Sequence, residues 1–149
     1  MSAKDRFHSV VKTALRKDGW DITDDPLHFR FGGVEIFIDL AAEKLIAAEK
    51  NGEKIAVEVK SFLGGSAISE FHTALGQFMN YRAVLGKKDP ERLLYLAVPQ
   101  ESYDSFFLLE FTQMMIQEYQ IKLIVYDLEQ EAIAPPCYRD LVSFATCIN

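Results

Sequence analysis

The sequence predicts an α/β fold, a mixed central sheet flanked by helices. Three observations predict it. Alternating apolar residues on either side of an Asn51-Gly52 dipeptide mark an antiparallel hairpin meander. Two nearly uninterrupted apolar runs, Arg92 to Val98 and Ile121 to Tyr126, read as strands covered on both faces. Stretches with apolar residues at helical spacing precede these strands, so β-α-β crossovers join the later ones.

Residues 4–17 read as the first helix, since Phe7, Val10, Val11, Ala14 and Leu15 recur on one stripe. Ser2 can cap it, with Asp5 three positions on, and Gly19 ends it. Residues 20–31 hold Pro26 and read as a connection with a first short strand. Gly32-Gly33 signals a hairpin turn. Val34 to Leu40 alternates, with Glu35, Phe37 and Asp39 on one face. Lys44 to Lys50 and Glu53 to Ser61 then pair across Asn51-Gly52. The meander thus has three strands, 34–40, 44–50 and 53–61.

Leu63 to Ser69 reads as a loop around Gly64-Gly65. Ser66 or Ser69 caps a second helix that runs to about Leu85, with Phe71, Leu75, Phe78 and Met79 as its apolar stripe. After strand 92–98, Tyr103 to Gln117 reads as one third helix, and strand 121–126 follows. The chain reads as a single domain over residues 1–149. Residues 129–149 form a C-terminal tail, interrupted by Pro135-Pro136. Leu141, Val142, Phe144, Ala145 and Ile148 make that tail apolar enough to pack on the domain or on a second subunit.

The chain has 149 residues, 49% of them hydrophobic, which suffices for one self-supporting core. Its net charge of -6 argues against general coating of nucleic acid, though not against a small site acting on DNA. Its two cysteines, Cys137 and Cys147, form no disulfide framework or CxxC knuckle. No signal-peptide core or run of about 18 apolar residues is present. These features predict a cytoplasmic chain with no membrane partner.

The chemistry concentrates in Ile55-Ala56-Val57-Glu58-Val59-Lys60-Ser61. With a period of two, Glu58 and Lys60 share one face and Val57 and Val59 the other. A cross-strand ion pair on a solvated face is the plain account of such a pair. The apolar setting favours a site, because a buried charge is costly unless paired or bound to something. If strand 34–40 lies beside strand 53–61, Asp39 converges on Glu58. Two carboxylates and the Val59 carbonyl then make an all-oxygen site for Mg²⁺ or Mn²⁺. Lys60 could orient a water and stabilise charge on a phosphoryl oxygen.

The order of helix, strand ending in Asp, hairpin, strand with Glu-x-Lys, and helix resembles the PD-(D/E)XK nuclease superfamily, the restriction-endonuclease-like fold. More narrowly, AKDRFHSVVKTALRKDGW, IDLAAEKLIAAEKNGEKIAVEVKSF and FHTALGQFMNY resemble the XisH family, the fdxN-element excision controlling factors of cyanobacteria. The resemblance implies Asp39 and Glu58 as metal carboxylates and Lys60 as the catalytic lysine of a Mg²⁺-dependent DNA endonuclease core. It further implies Asp5 as an acidic residue from the first helix and Gln77 as the glutamine of the following helix. Ile38 stands where the superfamily often has proline. The family role is control of programmed DNA excision, with DNA and a separate protein of the same excision system as partners. The alternative is a regulatory or scaffold protein that keeps the fold without turnover and acts through partner or DNA binding, and a homodimer is compatible with either.

Four other residues are candidates for phosphate contacts. His8 lies three positions after Asp5 on the same helix side, and His72 opens the second helix. Tyr81 sits one turn from Gln77, and Arg82 follows it. Basic residues on the two helices, including Lys12, Arg16, Lys17, Lys87 and Lys88, could give a local DNA footprint. Ser61 lacks an activating histidine, and Gly64-Gly65 lacks phosphate-loop spacing.

Overall fold

The structure, a computed structural model, describes residues 2–36 and 45–139. Helix α1 spans Ala3–Lys17. Its capping box forms as the spacing predicts: the Asp5 amide donates to Ser2 Oγ at 3.1 Å, and the Ser2 amide donates to Asp5 Oδ2 at 3.3 Å. Gly19 leaves the helix with φ +93°.

A six-stranded sheet runs in the order β1-β4-β5-β6-β7-β8. Its members are β1 (Asp21–Asp24), β4 (Leu45–Lys50), β5 (Glu53–Val59), β6 (Arg92–Pro99), β7 (Leu123–Asp127) and β8 (Ala132–Arg139). The strands β1, β4 and β5 pair antiparallel, β5, β6 and β7 parallel, and β7 and β8 antiparallel. The β4–β5 turn is Asn51-Gly52, with φ +51° and +82°, a pair of left-handed conformations that suits the twist of a tight hairpin. Helix α2 (Ala67–Lys88), capped by Ser66, crosses from β5 to β6.

Three expectations need correction. Strand 34–40 does not join the sheet through its described part. Instead β3 (Val34–Ile36) pairs with β2 (Phe29–Phe31) in a separate two-stranded ribbon. The Gly32-Gly33 turn, φ +58° and +84°, folds this segment tightly onto the residues just before it. The place beside β4 goes to β1. Asp39 itself lies outside the described residues.

The second correction concerns the helix expected over 103–117. A one-turn helix α3 (Gln100–Ser102) runs into a π-helical turn (Tyr103–Phe107), and α4 (Glu110–Tyr119) follows. Phe107 and Ile116 are both buried. At about 100° per residue an unbroken helix would put these two residues half a turn apart. The break at Leu109, ψ 145°, restores both to the sheet side. Third, part of the expected irregular tail is strand β8. Its two prolines fall in an edge strand at a register shift, between the Tyr126–Ile133 and Ile124–Tyr138 pairs, where no ladder bond is lost. Residues 140–149 lie outside the described residues.

Each face of the sheet has its own core. On one side Phe7, Val10, Val11 and Leu15 of α1 pack on Ile55, Val57 and Val59. On the other, Phe71, Phe78 and Leu85 of α2 pack on Ala56, Leu94 and Leu96. Among the described residues, no helix is long and apolar enough to cross a membrane.

Candidate functional site

The two-residue period of β5 puts Lys54, Ala56, Glu58 and Lys60 toward α2. Two strand residues advance about 6.6 Å and four helix residues about 6.0 Å, so the elements stay in step. Lys54 Nζ meets Asp89 Oδ2 at 2.8 Å. Ala56 shares a core with Leu85. Glu58 acts electrostatically on Tyr81. Lys60 Nζ donates to Gln77 Oε1 at 2.5 Å. Positions 77, 81 and 85 of α2, with its C-cap Asp89, thus answer Lys60 just past β5 and positions 58, 56 and 54 on it.

The site lies at the end of this ladder. Glu58 is 2% exposed, on a strand flanked on both sides. Leu45, the first residue of β4, pairs with Glu58, so β4 begins at the level of that carboxylate. Lys60 follows the last residue of β5 and is held at three points. Its amide donates to the Ala97 carbonyl at 3.0 Å, its carbonyl accepts from the Tyr126 hydroxyl at 2.9 Å, and its ammonium binds Gln77. Val59 is buried toward α1, with its backbone at the sheet end next to Lys60.

Tyr81 is 7% exposed. Burial, and then the charge of Glu58, push its phenol up to about 12. Glu58→Gln removes only the second cause. Tyr81 is therefore expected to titrate lower in that variant while staying above its usual value of 10. Carbon NMR of the labelled Tyr81 ring reads this directly, and an unchanged titration would contradict the facing geometry.

The structure brings Glu58, Lys60, Gln77 and Tyr81 together and leaves four other candidates apart. Asp5 and His8 belong to α1, whose core lies on the opposite face of the sheet. The Asp5 carboxylate serves the helix cap. His72 and Arg82 each lie five positions from Gln77, about 140° round the helix. His72 is exposed, and Arg82 donates to the Tyr119 and Gln120 carbonyls at the end of α4.

His8 Nε2 instead lies 2.8 Å from Asp25 Oδ1, and Lys12 Nζ is 2.7 Å from Asp25 Oδ2. Burial opposes ionisation of Asp25, but hydrogen bonds and charge from Lys12 and His8 outweigh it and hold the carboxyl below 3.8. Folding lowers this pKa, so the cluster adds stability above the unfolded-chain value and loses it as pH falls through the folded one. Asp25→Asn is expected to cost about 1 kcal/mol at neutral pH. In urea unfolding the difference from wild type should vanish in acid below the folded pKa.

Two residues outside the sequence-derived set belong to the surroundings. Tyr126 anchors the Lys60 carbonyl, and no motif or spacing points to that contact. Glu70 lies seven positions before Gln77 on the same helix face, a spacing that could have flagged it. Its Oε2 is buried without a hydrogen-bond partner among the described residues, and a Cβ on Gly64 would come within 2.9 Å of its Cδ.

Among the described residues no group of three or more His, Cys, Asp or Glu side chains could hold a metal ion. Glu58 provides one hard carboxylate at the sheet end. Asp39, the second member of the implied pair, is outside the described residues.

Residues 1–134 match the family model described as XisH protein. Two solved structures are similar. One is an XisH family protein from Nostoc punctiforme PCC 73102, 61% identical, covering 87% of this chain and 97% of its own, with a TM-score of 0.81. The other is an fdxN element excision controlling factor protein from Anabaena variabilis, 62% identical, covering 87% of this chain and 96% of its own, also with a TM-score of 0.81. No curated protein matches.

Proposed function

The chain belongs to the XisH family, and from that membership we propose that it is a control factor in the excision of a DNA element. This is the role named for the Anabaena variabilis relative. In this reading it uses a restriction-endonuclease-like, PD-(D/E)XK frame and contacts a DNA phosphodiester at Lys60 and Gln77. The single observation that carries the reading is the fixed ammonium of Lys60, bonded to Gln77 at 2.5 Å at the sheet end. A cation tied down at its backbone and its head group meets a phosphate with little ordering left to do. The net charge of -6 leaves little general attraction for DNA, so a protein partner of the same excision system, or a second copy, would supply further contacts.

The test is fluorescence anisotropy of labelled duplex and branched DNA with the whole chain, alone and with the recombinase of the excision system. Saturable binding that weakens in Lys60→Ala supports the reading. No binding to any of these DNAs in either setting overturns it.

A second reading, hydrolysis of the phosphodiester, is favoured by the burial of Glu58 beside Lys60. Glu58, the Val59 carbonyl and Asp39 would hold Mg²⁺ or Mn²⁺, which would supply charge neutralisation at the phosphate. Lys60 would then hold a proton or a hydrogen bond at the attacking water, and Gln77 would fix the lysine. Calorimetric titration of Mn²⁺ separates the readings. Equal binding to wild type and Glu58→Gln would sink the metal site and leave DNA control without turnover.

A further inference from the structure

Helix α4 turns an apolar face outward. Its buried residues are Thr112 and Ile116. Met114 stands two residues from each, about 160° round the helix from both, and so points away from the core. It is 57% exposed. Phe111, three positions before it, shares that outer face, and Leu108 and Leu109 just ahead of the helix are each more than half exposed. The outer face of a helix is ordinarily polar. Large apolar side chains gathered there mark a surface that a partner covers.

The charge around this face has one sign. Glu110 and Glu118 lie one turn before and one turn after Met114, on the same side of α4. Glu101 and Asp104 precede them on α3 and the π-helical turn. All four are exposed, and none has a cationic partner among the described residues. Residues 93–121 contain no Lys, Arg or His. Carboxylates bordering an apolar patch without a local counter-charge decide between occupants. A second copy docking by the same face would set Glu110 and Glu118 against their own copies across a two-fold axis. An anionic lipid surface meets the same repulsion. A cationic partner relieves it.

We propose that α4 docks a basic amphipathic helix of a partner protein. That helix sets an apolar stripe on Phe111 and Met114, with a Lys or Arg one turn to either side against Glu110 and Glu118. The repeats match: residues four apart on the partner rise about 6 Å, as Glu110, Met114 and Glu118 do. Methionine suits such a face, because its flexible thioether adapts to the side chains laid on it. The face belongs to α4, whereas Lys60 and Gln77 lie at the end of β5 and on α2. The inference therefore goes beyond the DNA contact and stands or falls separately from it.

Fluorescence anisotropy on the full chain at low salt tests it with labelled peptides of about 18 residues, five helical turns. The probes are a Leu/Lys amphipathic helix, the same Leu stripe with Glu for Lys, and a scrambled Leu/Lys sequence. The expected result is saturable binding of the Leu/Lys helix alone, weakened about fivefold or more by Met114→Gln and about tenfold or more by Glu118→Lys. Both variants keep the helix: Gln and Met are comparable helix formers, and a lysine in the last turn suits the helix dipole. Glu53→Lys, the same charge change at an exposed position on the β4–β5 hairpin, and Lys60→Ala should both bind as wild type. In the wild type, the Met114 methyl resonance should move as the Leu/Lys helix is added. No saturable binding, equal affinity for the scrambled peptide or for Met114→Gln, a still Met114 resonance, or equal losses in Glu53→Lys and Glu118→Lys overturns the inference. Three other results overturn it by giving the face a different occupant. They are a concentration-dependent dimer that Met114→Gln dissolves, binding to phosphatidylglycerol vesicles that Met114→Gln abolishes, and a nuclear Overhauser contact between the Met114 methyl and residues 140–149 in the chain alone.

Discussion

Lys60→Ala is expected to weaken DNA binding by about 10- to 150-fold, the equivalent of one hydrogen bond to a charged group worth roughly 1.5–3 kcal/mol. Complementation of cells lacking the factor, with excised junctions counted by quantitative PCR, should show a parallel loss of element excision. The variant keeps the fold, because the Lys60 amide and carbonyl bonds to Ala97 and Tyr126 use backbone atoms. Lys17→Ala is the control: Lys17 is a cation of α1, on the other face of the sheet, whose ammonium is occupied by the Gln130 carbonyl. Wild-type binding and excision in Lys60→Ala would remove this site from the function. If the site also hydrolyses DNA, the variant loses a further quantity, the rate at saturating DNA, by about 10²–10⁴-fold for a missing proton-transfer or water-orienting group. Binding and rate measured on one preparation therefore separate DNA contact from turnover.

The half of the site on β5 and α2 was legible because two simple periods meet there. A strand places residues 58 and 60 on one face, and a helix places residues 77 and 81 on one face. The connection between them fixes only that the faces meet, and the ladder from Lys54–Asp89 to Lys60–Gln77 is the result. Asp5 and His8 were a different problem. Spacing puts both on one side of α1, but no local signal says which face of the sheet that helix will cover. Placement of α1 is decided by where Phe7, Val10 and Leu15 find apolar partners, and these are Val57 and Val59 rather than the Glu58 side. Tyr126 was out of reach for a similar reason: its hydroxyl contact depends on a strand two places across the sheet.

The fold divides along the same line between local and non-local information. Asn51-Gly52 and Gly32-Gly33 form the turns their chemistry demands. The ribbon partner of β3 is not legible, because alternation marks a strand without naming its neighbour. Over residues 103–117 no Gly or Pro interrupts the helical spacing, so no local signal marks the break. The break is enforced by packing, since Phe107 and Ile116 must both reach the core. The same holds at β8, where Pro135-Pro136 looks like a breaker and is tolerated because both prolines fall in the register shift between the Ile124–Tyr138 and Tyr126–Ile133 pairs.

That packing argument predicts the largest change in stability. Phe71 is 1% exposed in the first turns of α2. Its ring centroid lies 5.6 Å from Phe106, 5.9 Å from Phe107 and 6.4 Å from Phe111, so one side chain ties α2 to the π-helical turn and to α4. Phe71→Ala is expected to cost about 3–5 kcal/mol, transfer of the ring plus the cavity left behind. For a chain of this length that lowers Tm by about 6–20 °C. Phe111→Ala touches the same cluster from a position 42% exposed and should cost about 1 kcal/mol or less. Because Phe71 and Gln77 share one helix, a loosened α2 should also loosen the grip on Lys60. Phe71→Leu, which keeps much of the volume, is expected to recover stability and DNA binding together. Recovery of stability without binding would show that the helix start and the site respond independently, and would confine Phe71 to the core.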